Sequence, residues 1–346
     1  LTVNGVAKWD GRNWSGLGSG LGHNAIVCSL ALDQAGNLFA GGFFNPLSGG
    51  PAGNIARWDG TNWSALGAGL TGAPLHGYYS NPGVLALAFD SSGNLYAGGS
   101  FTTAGTVPAS SLAVWNGSSW SSVGAGLTGG NLQYGTPLPE VNVLLGDGAG
   151  NVYVGGQFTN AGGISANSIA KWDGKNWSTF GSGVVPLISG IYTLALDTSG
   201  HIYAGGNFGY IGGIYANYIA KWDGSGWNAL GSGVNASVGS LVFDQSGNLY
   251  VGGYFTTAGT NTSHSIAQVL LSPASYGLSL RRLGSGTNII TGFGTPNYAY
   301  ALDMATNLSS PVHWTPLSTN TQTNVNLMFT NTTILPRAFY RTRYVP

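Results

Sequence analysis

Short alternating runs of apolar and polar residues recur along the first 270 residues of the chain, each about as long as a β-strand. One set ends at an aspartate: VCSLALD at Asp33, VLALAFD at Asp90, VNVLLGD at Asp147, IYTLALD at Asp197 and VGSLVFD at Asp244. In the second of these the apolar positions include Val84, Leu87 and Phe89. A tight turn follows, in which the Asp carboxylate bonds backbone N–H groups and a glycine supplies positive φ. The second strand is then predicted in GNLFAGG (36–42), GNLYAGG (93–99), GNVYVGG (150–156), GHIYAGG (200–206) and GNLYVGG (247–253). A third run ends at Trp9, Trp58, Trp115, Trp172 and Trp222, at intervals of 49, 57, 57 and 50 residues. Asp-Gly or Asn-Gly after each of these tryptophans is a hairpin signal. A fourth strand opens at Trp14, Trp63, Trp120, Trp177 and Trp227. Each unit therefore reads as four short strands.

Composition removes the competing classes. Only 6% of the 346 residues are charged, glycine numbers 59, and aromatic residues make up 12%. A disordered chain would be charge-rich and aromatic-poor, and collagen would show a strict Gly-X-Y period. No apolar run reaches the roughly 18–20 residues that span a bilayer as a helix. A single glutamate, Glu140, is too few for a helical repeat protein. The chain begins at Leu1 rather than Met, which is read as a processed chain whose targeting segment has been removed.

Gly-Gly closing the second strand, an aromatic-Asp turn and then Trp resemble the kelch repeat, and the Gly-Asn-Leu-Tyr-Val-Gly-Gly stretch resembles repeats of large secreted and cell-surface bacterial proteins. The resemblance implies an all-β fold, a β-propeller over residues 1–270. Five first-and-second strand pairs predict five blades, with the last blade closed by the N-terminal strands at 6–17. Residues 265–270 match a third strand as well, so two segments compete for one place. Residues 271–275 read as a linker. Residues 276–346 lose the repeat and read as a small C-terminal β-sandwich, with runs at 288–291, 298–302, 325–329 and 339–345. This tail resembles terminal modules of secreted proteins, which implies attachment or sorting.

Candidate chemistry is sparse. Nine of the eleven acids occupy equivalent turns, and only Glu140 and Asp303 lie outside them, so no pair of carboxylates faces one bond as a glycosidase requires. His23, His76, His201, His264 and His313 show no metal-ligand spacing. The lone Cys28 forms no disulfide and reads as a small packed side chain on an inner strand. One carboxylate per turn falls short of a calcium cage. No cofactor is expected, and the chain reads as a non-enzyme. Residues 1–270 carry 6 Lys+Arg against 10 Asp+Glu, a net charge of −4, which disfavours nucleic acid. Residues 271–346 carry five Arg against Asp303, a net of +4.

The reading that follows is a secreted structural or interaction protein, extracellular or at the cell surface, whose expected partner is itself. The residues assigned to self-assembly are Val6, Trp9, Ile266, Val269, Arg281, Arg282, Arg337, Arg341 and Arg343. The alternative is a lectin-like propeller that stacks cell-surface or matrix polysaccharide on the loop aromatics Tyr78, Tyr79, Tyr134, Tyr210 and Tyr215.

Overall fold

The computed structural model describes residues 3–44, 53–72, 82–130, 138–185, 190–245, 247–269, 276–282, 288–293, 299–305, 314–321, 326–331 and 339–345. All regular structure among them is β. The chain divides into two compact units, Leu1–Gln268 and Val269–Pro346.

The larger unit opens with a hairpin of β1 (Ala7–Trp9) and β2 (Trp14–Gly16). A four-stranded antiparallel meander follows, built from β3 (Ile26–Leu32), β4 (Leu38–Phe43), β5 (Ile55–Trp58) and β6 (Trp63–Ala65). The same order recurs in the sheets spanning Gly83–Ser122, Glu140–Thr179 and Gly190–Ala229. A fifth sheet has three strands, Val238–Phe243, Leu249–Gly253 and Ile266–Val269. The four-strand unit expected from the repeat is thus the unit observed.

The turns hold as their residues predict. One oxygen of Asp33 accepts the backbone N–H groups of Ala35 and Asn37 at 3.0 and 2.8 Å, and the other accepts the Asn37 side-chain amide at 2.7 Å. The arrangement repeats at Asp90 and Asp147. At Asp197 the ring of His201 stands in for the asparagine, with Nδ1 2.8 Å from Oδ2. In the Trp-Asp-Gly turns Asp10, Asp59, Asp173 and Asp223 each accept two backbone N–H groups, and the amide oxygen of Asn116 does the same in the one unit that lacks the acid. These side chains close strand pairs locally.

The last sheet is not closed as the sequence suggested. Its third place, beside Leu249–Gly253, is filled by Ile266–Val269, while β1 pairs with β2 in a sheet of their own. Residues 266–269 follow their neighbours along the chain by a short hairpin, Thr257–Thr262, whereas the N-terminal strands would have to return from the far end. The N-terminal hairpin instead packs on the first meander. Val6, Leu17 and Leu21 are buried with Ala40, Phe44 and Ala56.

In the smaller unit Tyr276–Arg282, Asn288–Phe293 and Asn326–Asn331 form one antiparallel sheet, and Thr315–Thr321, Ala299–Ala305 and Phe339–Val345 form another. Ile290 and Phe329 from the first share a buried cluster with Tyr300 and Leu302 from the second.

The turn carboxylates make stability depend on acid. Partial burial pushes Asp147 and Asp197 up, but the hydrogen bonds they accept outweigh it and hold both below the usual carboxylate range. A folded-state value below the unfolded one adds stability that is complete above the unfolded value, about 4, and is lost as pH falls through the folded one. The thermal midpoint should therefore stay level from pH 7 to about 5 and drop below about 4. Asp197→Ala should cost about 1 kcal/mol at pH 7, and the difference from the unsubstituted chain should shrink at pH 3. Thermal unfolding followed by circular dichroism at each pH measures both.

Candidate functional site

Successive meanders meet through one repeated contact. The first strand of each sheet presents a β-branched residue and a leucine to the sheet before it: Val84 and Leu87, Val141 and Leu144, Ile191 and Leu194, Val238 and Leu241. All eight are buried. The β-branched residue sits over the first glycine of the preceding Gly-Gly pair. A Cβ built on Gly41 would lie 2.5 Å from Val84 Cγ1, and one on Gly205 2.5 Å from Val238 Cγ1; Gly98 faces Val141 and Gly155 faces Ile191 in the same way. The second glycine of each pair lies against its own sheet, where a Cβ would strike the carbonyl oxygen of Ile26, Gly83, Glu140, Gly190 or Ser237 beside the bulge of the first strand. The tryptophans that open the fourth strands lock the outer edge. Trp63, Trp120 and Trp227 donate their indole N–H to the carbonyls of Leu17, Leu66 and Phe180 in the preceding unit, at 2.9, 2.9 and 3.0 Å. Trp177 departs from the series, its Nε1 buried without an acceptor.

The contact runs out at both ends of the succession. At the leading end β3 has no such sheet before it. Leu30 is 52% exposed, where Leu87, Leu144, Leu194 and Leu241 are 6–8% exposed, and Leu32 is 66% exposed, where Phe89, Leu196 and Phe243 are half-buried. Trp14 is 62% exposed, against 6% for Trp120 and Trp227. Between β3 and the N-terminal hairpin runs an open groove of about 450 Å³, lined by Gly5, Val6, Ala7, Val27, Cys28, Ser29 and Leu30. Cys28 is exposed here rather than packed. Partial burial pushes the thiol up, away from a reactive thiolate.

At the trailing end, Val242 is exposed and Tyr250 is 36% exposed, where Tyr96, Tyr153 and Tyr203 at the same place are buried. A Cβ on Gly252 would meet only its own sheet, with Ser240 Cβ the nearest atom at 3.7 Å. The pocket that glycine makes for a β-branched residue is there without the residue. Fully burying one leucine or valine side chain is worth roughly 1.5–3 kcal/mol, so the two end surfaces hold substantial unsatisfied apolar area.

The residues singled out from the sequence scatter differently. Val6 is buried in the chain's own core, so it is not an exposed contact. Trp9 and Ile266 are exposed and Val269 half-buried. Arg281 and Arg282 end one strand of the smaller unit, Arg341 and Arg343 lie in another, and Arg337 falls outside the described residues. Tyr78, Tyr79 and Tyr134 also fall outside them. Tyr210 and Tyr215 are not in an added loop: they face each other across a tight hairpin whose counterpart occurs in the neighbouring units. Both are exposed, with ring centroids 5.2 Å apart at 72°. Among the described residues no group of three or more His, Cys, Asp or Glu could hold a metal ion, and no helix is long and apolar enough to cross a membrane. Sequence reasoning missed Leu30, Leu32, Tyr250 and Gly252. Each carries the signature of core, and only its place in the first or last sheet distinguishes it.

No protein-family model matches the chain, and no curated protein matches it. Among solved structures it is similar to the extracellular domain of the putative one component system BT4673 from B. thetaiotaomicron, at a TM-score of 0.43 and 13% identity, over 83% of this chain and 34% of that one. The chain thus spans about a third of that relative's length. YCF48 bound to a D1 peptide aligns at a TM-score of 0.39 and 15% identity, over 77% and 78% of the two chains. A protein of unknown function from Dyadobacter fermentans aligns at 0.38 and 10%, over 93% and 95%.

Two glycines of the same sequence motif should respond differently to one substitution. Gly98→Ala drives a methyl into Val141 and should cost about 1–3 kcal/mol. Gly252→Ala makes only ordinary contact, with Ser240 Cβ nearest at 3.7 Å, and should leave stability within about 1 kcal/mol, chiefly through its effect on the unfolded chain. Urea titrations of the two variants decide it.

Proposed function

We propose that the protein is a non-enzymatic, secreted interaction protein that assembles with copies of itself at the cell surface or outside the cell. On this reading residues 1–270 are a five-bladed kelch-like propeller and residues 276–346 a β-sandwich. What supports it most is the pair of apolar surfaces, one at each end of the same run of sheets, each matching one half of a contact made four times inside the chain. Sparse charge weakens repulsion between copies. The opposite net charges of residues 1–270 and 271–346 add attraction between unlike parts of different copies, screened by salt. Multi-angle light scattering across protein concentration tests the reading. Particle mass should rise with concentration at physiological salt. A chain that stays monomeric at high concentration ends it.

A second reading, binding of polysaccharide, is favoured by one observation: the exposed Tyr210–Tyr215 pair, which offers an open aromatic face. A glycan array should then show binding that Tyr215→Ala removes by tenfold or more. Equal signals from the two proteins would exclude this pair as the site.

A further inference from the structure

We propose that the groove before β3 receives the hairpin Val238–Gly253 of a second copy, whose own third strand, Ile266–Val269, gives way to β1. The proposal rests on the self-association reading and names the surfaces that carry it.

The N-terminal hairpin is the outer half of a sheet whose inner half is missing. Its Ala-Lys-Trp and its second tryptophan repeat the third and fourth strands of the later units, and Leu17 accepts the Trp63 indole N–H as Leu66 accepts that of Trp120. The space that its first and second strands would fill is the groove between Gly5–Ala7 and Val27–Leu30. Val238–Phe243 and Leu249–Gly253 are the converse, an inner pair completed only by Ile266–Val269. That third strand is a poor fit. Ile266 is exposed where Ile55, Leu112, Ile169 and Ile219 are buried, and Val269 stands where the others have tryptophan.

Placed together, the halves reproduce each element of the internal contact. Val27 holds the position of Val84, Val141, Ile191 and Val238, and would enter the space over Gly252 as those residues cover Gly41, Gly98, Gly155 and Gly205. Leu30 and Leu32 would be covered as Leu87 and Phe89 are. Trp14 would aim its indole N–H at the Leu230 carbonyl, the counterpart of Leu17, Leu66 and Phe180. Leu230 O accepts one backbone hydrogen bond, from Gly233; Leu17 O and Leu66 O accept the matching one together with the indole N–H. In a single chain groove and hairpin face are exposed at once, so the occupant comes from another copy. One groove and one hairpin per chain make the contact heterologous, and it propagates head to tail unless its rotation closes a ring. The exchanged strand adds to a sheet edge through main-chain pairing.

Gly252→Val separates docking from folding, because in the single chain a Cβ there makes only ordinary contacts, the nearest Ser240 Cβ at 3.7 Å, whereas in the assembly the side chain would meet Val27 of the neighbour. Sedimentation velocity on the full chain should show mass growing with concentration. Gly252→Val should weaken association at least tenfold without lowering the thermal midpoint. Ile266→Pro, which loosens the strand to be displaced, should strengthen association. Cys28 reports on the groove: its labelling by a water-soluble maleimide should slow on assembly of the intact chain and stay fast in Gly252→Val. Association of Gly252→Val equal to that of the intact chain would overturn this interface and leave self-association standing. A monomer with Cys28 shielded would mean that the chain's own hairpin fills the groove. A monomer with Cys28 reactive would overturn both the interface and the reading beneath it.

Discussion

The seating of a β-branched side chain over a glycine of the preceding sheet is the contact on which the larger unit depends. Sheets packed face to face ordinarily stand about 10 Å apart, with side chains from both filling the gap. Removing the Cβ at Gly41, Gly98, Gly155 and Gly205 brings Val84, Val141, Ile191 and Val238 down onto backbone. The leucine beside each is buried by the same approach. Because each sheet supplies a glycine behind and a valine or isoleucine in front, the contact is directional. Directionality makes the two ends of the succession complementary rather than alike.

The acidic residues belong to a separate and local layer of the structure. Each turn aspartate gathers N–H groups of its own turn, and for Asp33, Asp90, Asp147 and Asp197 a partner asparagine or histidine lies four residues on. Asp33, Asp147 and Asp197, so engaged, are held below the usual carboxylate range, which is the opposite of what a general acid needs. The chemistry of the acids and the architecture of the sheets therefore separate cleanly. Polar residues close strands, and apolar and small residues join sheets.

Binding potential follows from the second layer. The paired indoles make the point, since Trp9 and Trp14 lie 5.5 Å apart, as do Trp58 and Trp63, in nearly the same geometry. Only position differs: Trp14 has no preceding unit to offer a carbonyl, and it faces outward. Tyr250 and Leu30 are exposed for the same reason, one behind the last sheet and the other before the first. Large apolar side chains left bare at defined places are surfaces for contact.

The four-strand unit, its turns and the part played by nearly every acid are legible in the amino-acid sequence. Those features depend on residues within a few positions of one another, and the Asp-x-x-Gly-Asn geometry needs no distant partner. The recurring tryptophans and Gly-Gly pairs stand out in the sequence as columns. Tertiary structure decided that such columns join the sheets, and where the joining stops. Leu30 and Leu87 are the same residue in the same motif, and the pattern does not tell them apart. Burial is a property of the neighbour and not of the residue, and the neighbour of β3 is set by how the whole succession of sheets is laid out. The last sheet shows the same dependence: two segments were equally suited to its third place by pattern, and chain connectivity, which joins Ile266–Val269 to it through a short hairpin, settled which one pairs there.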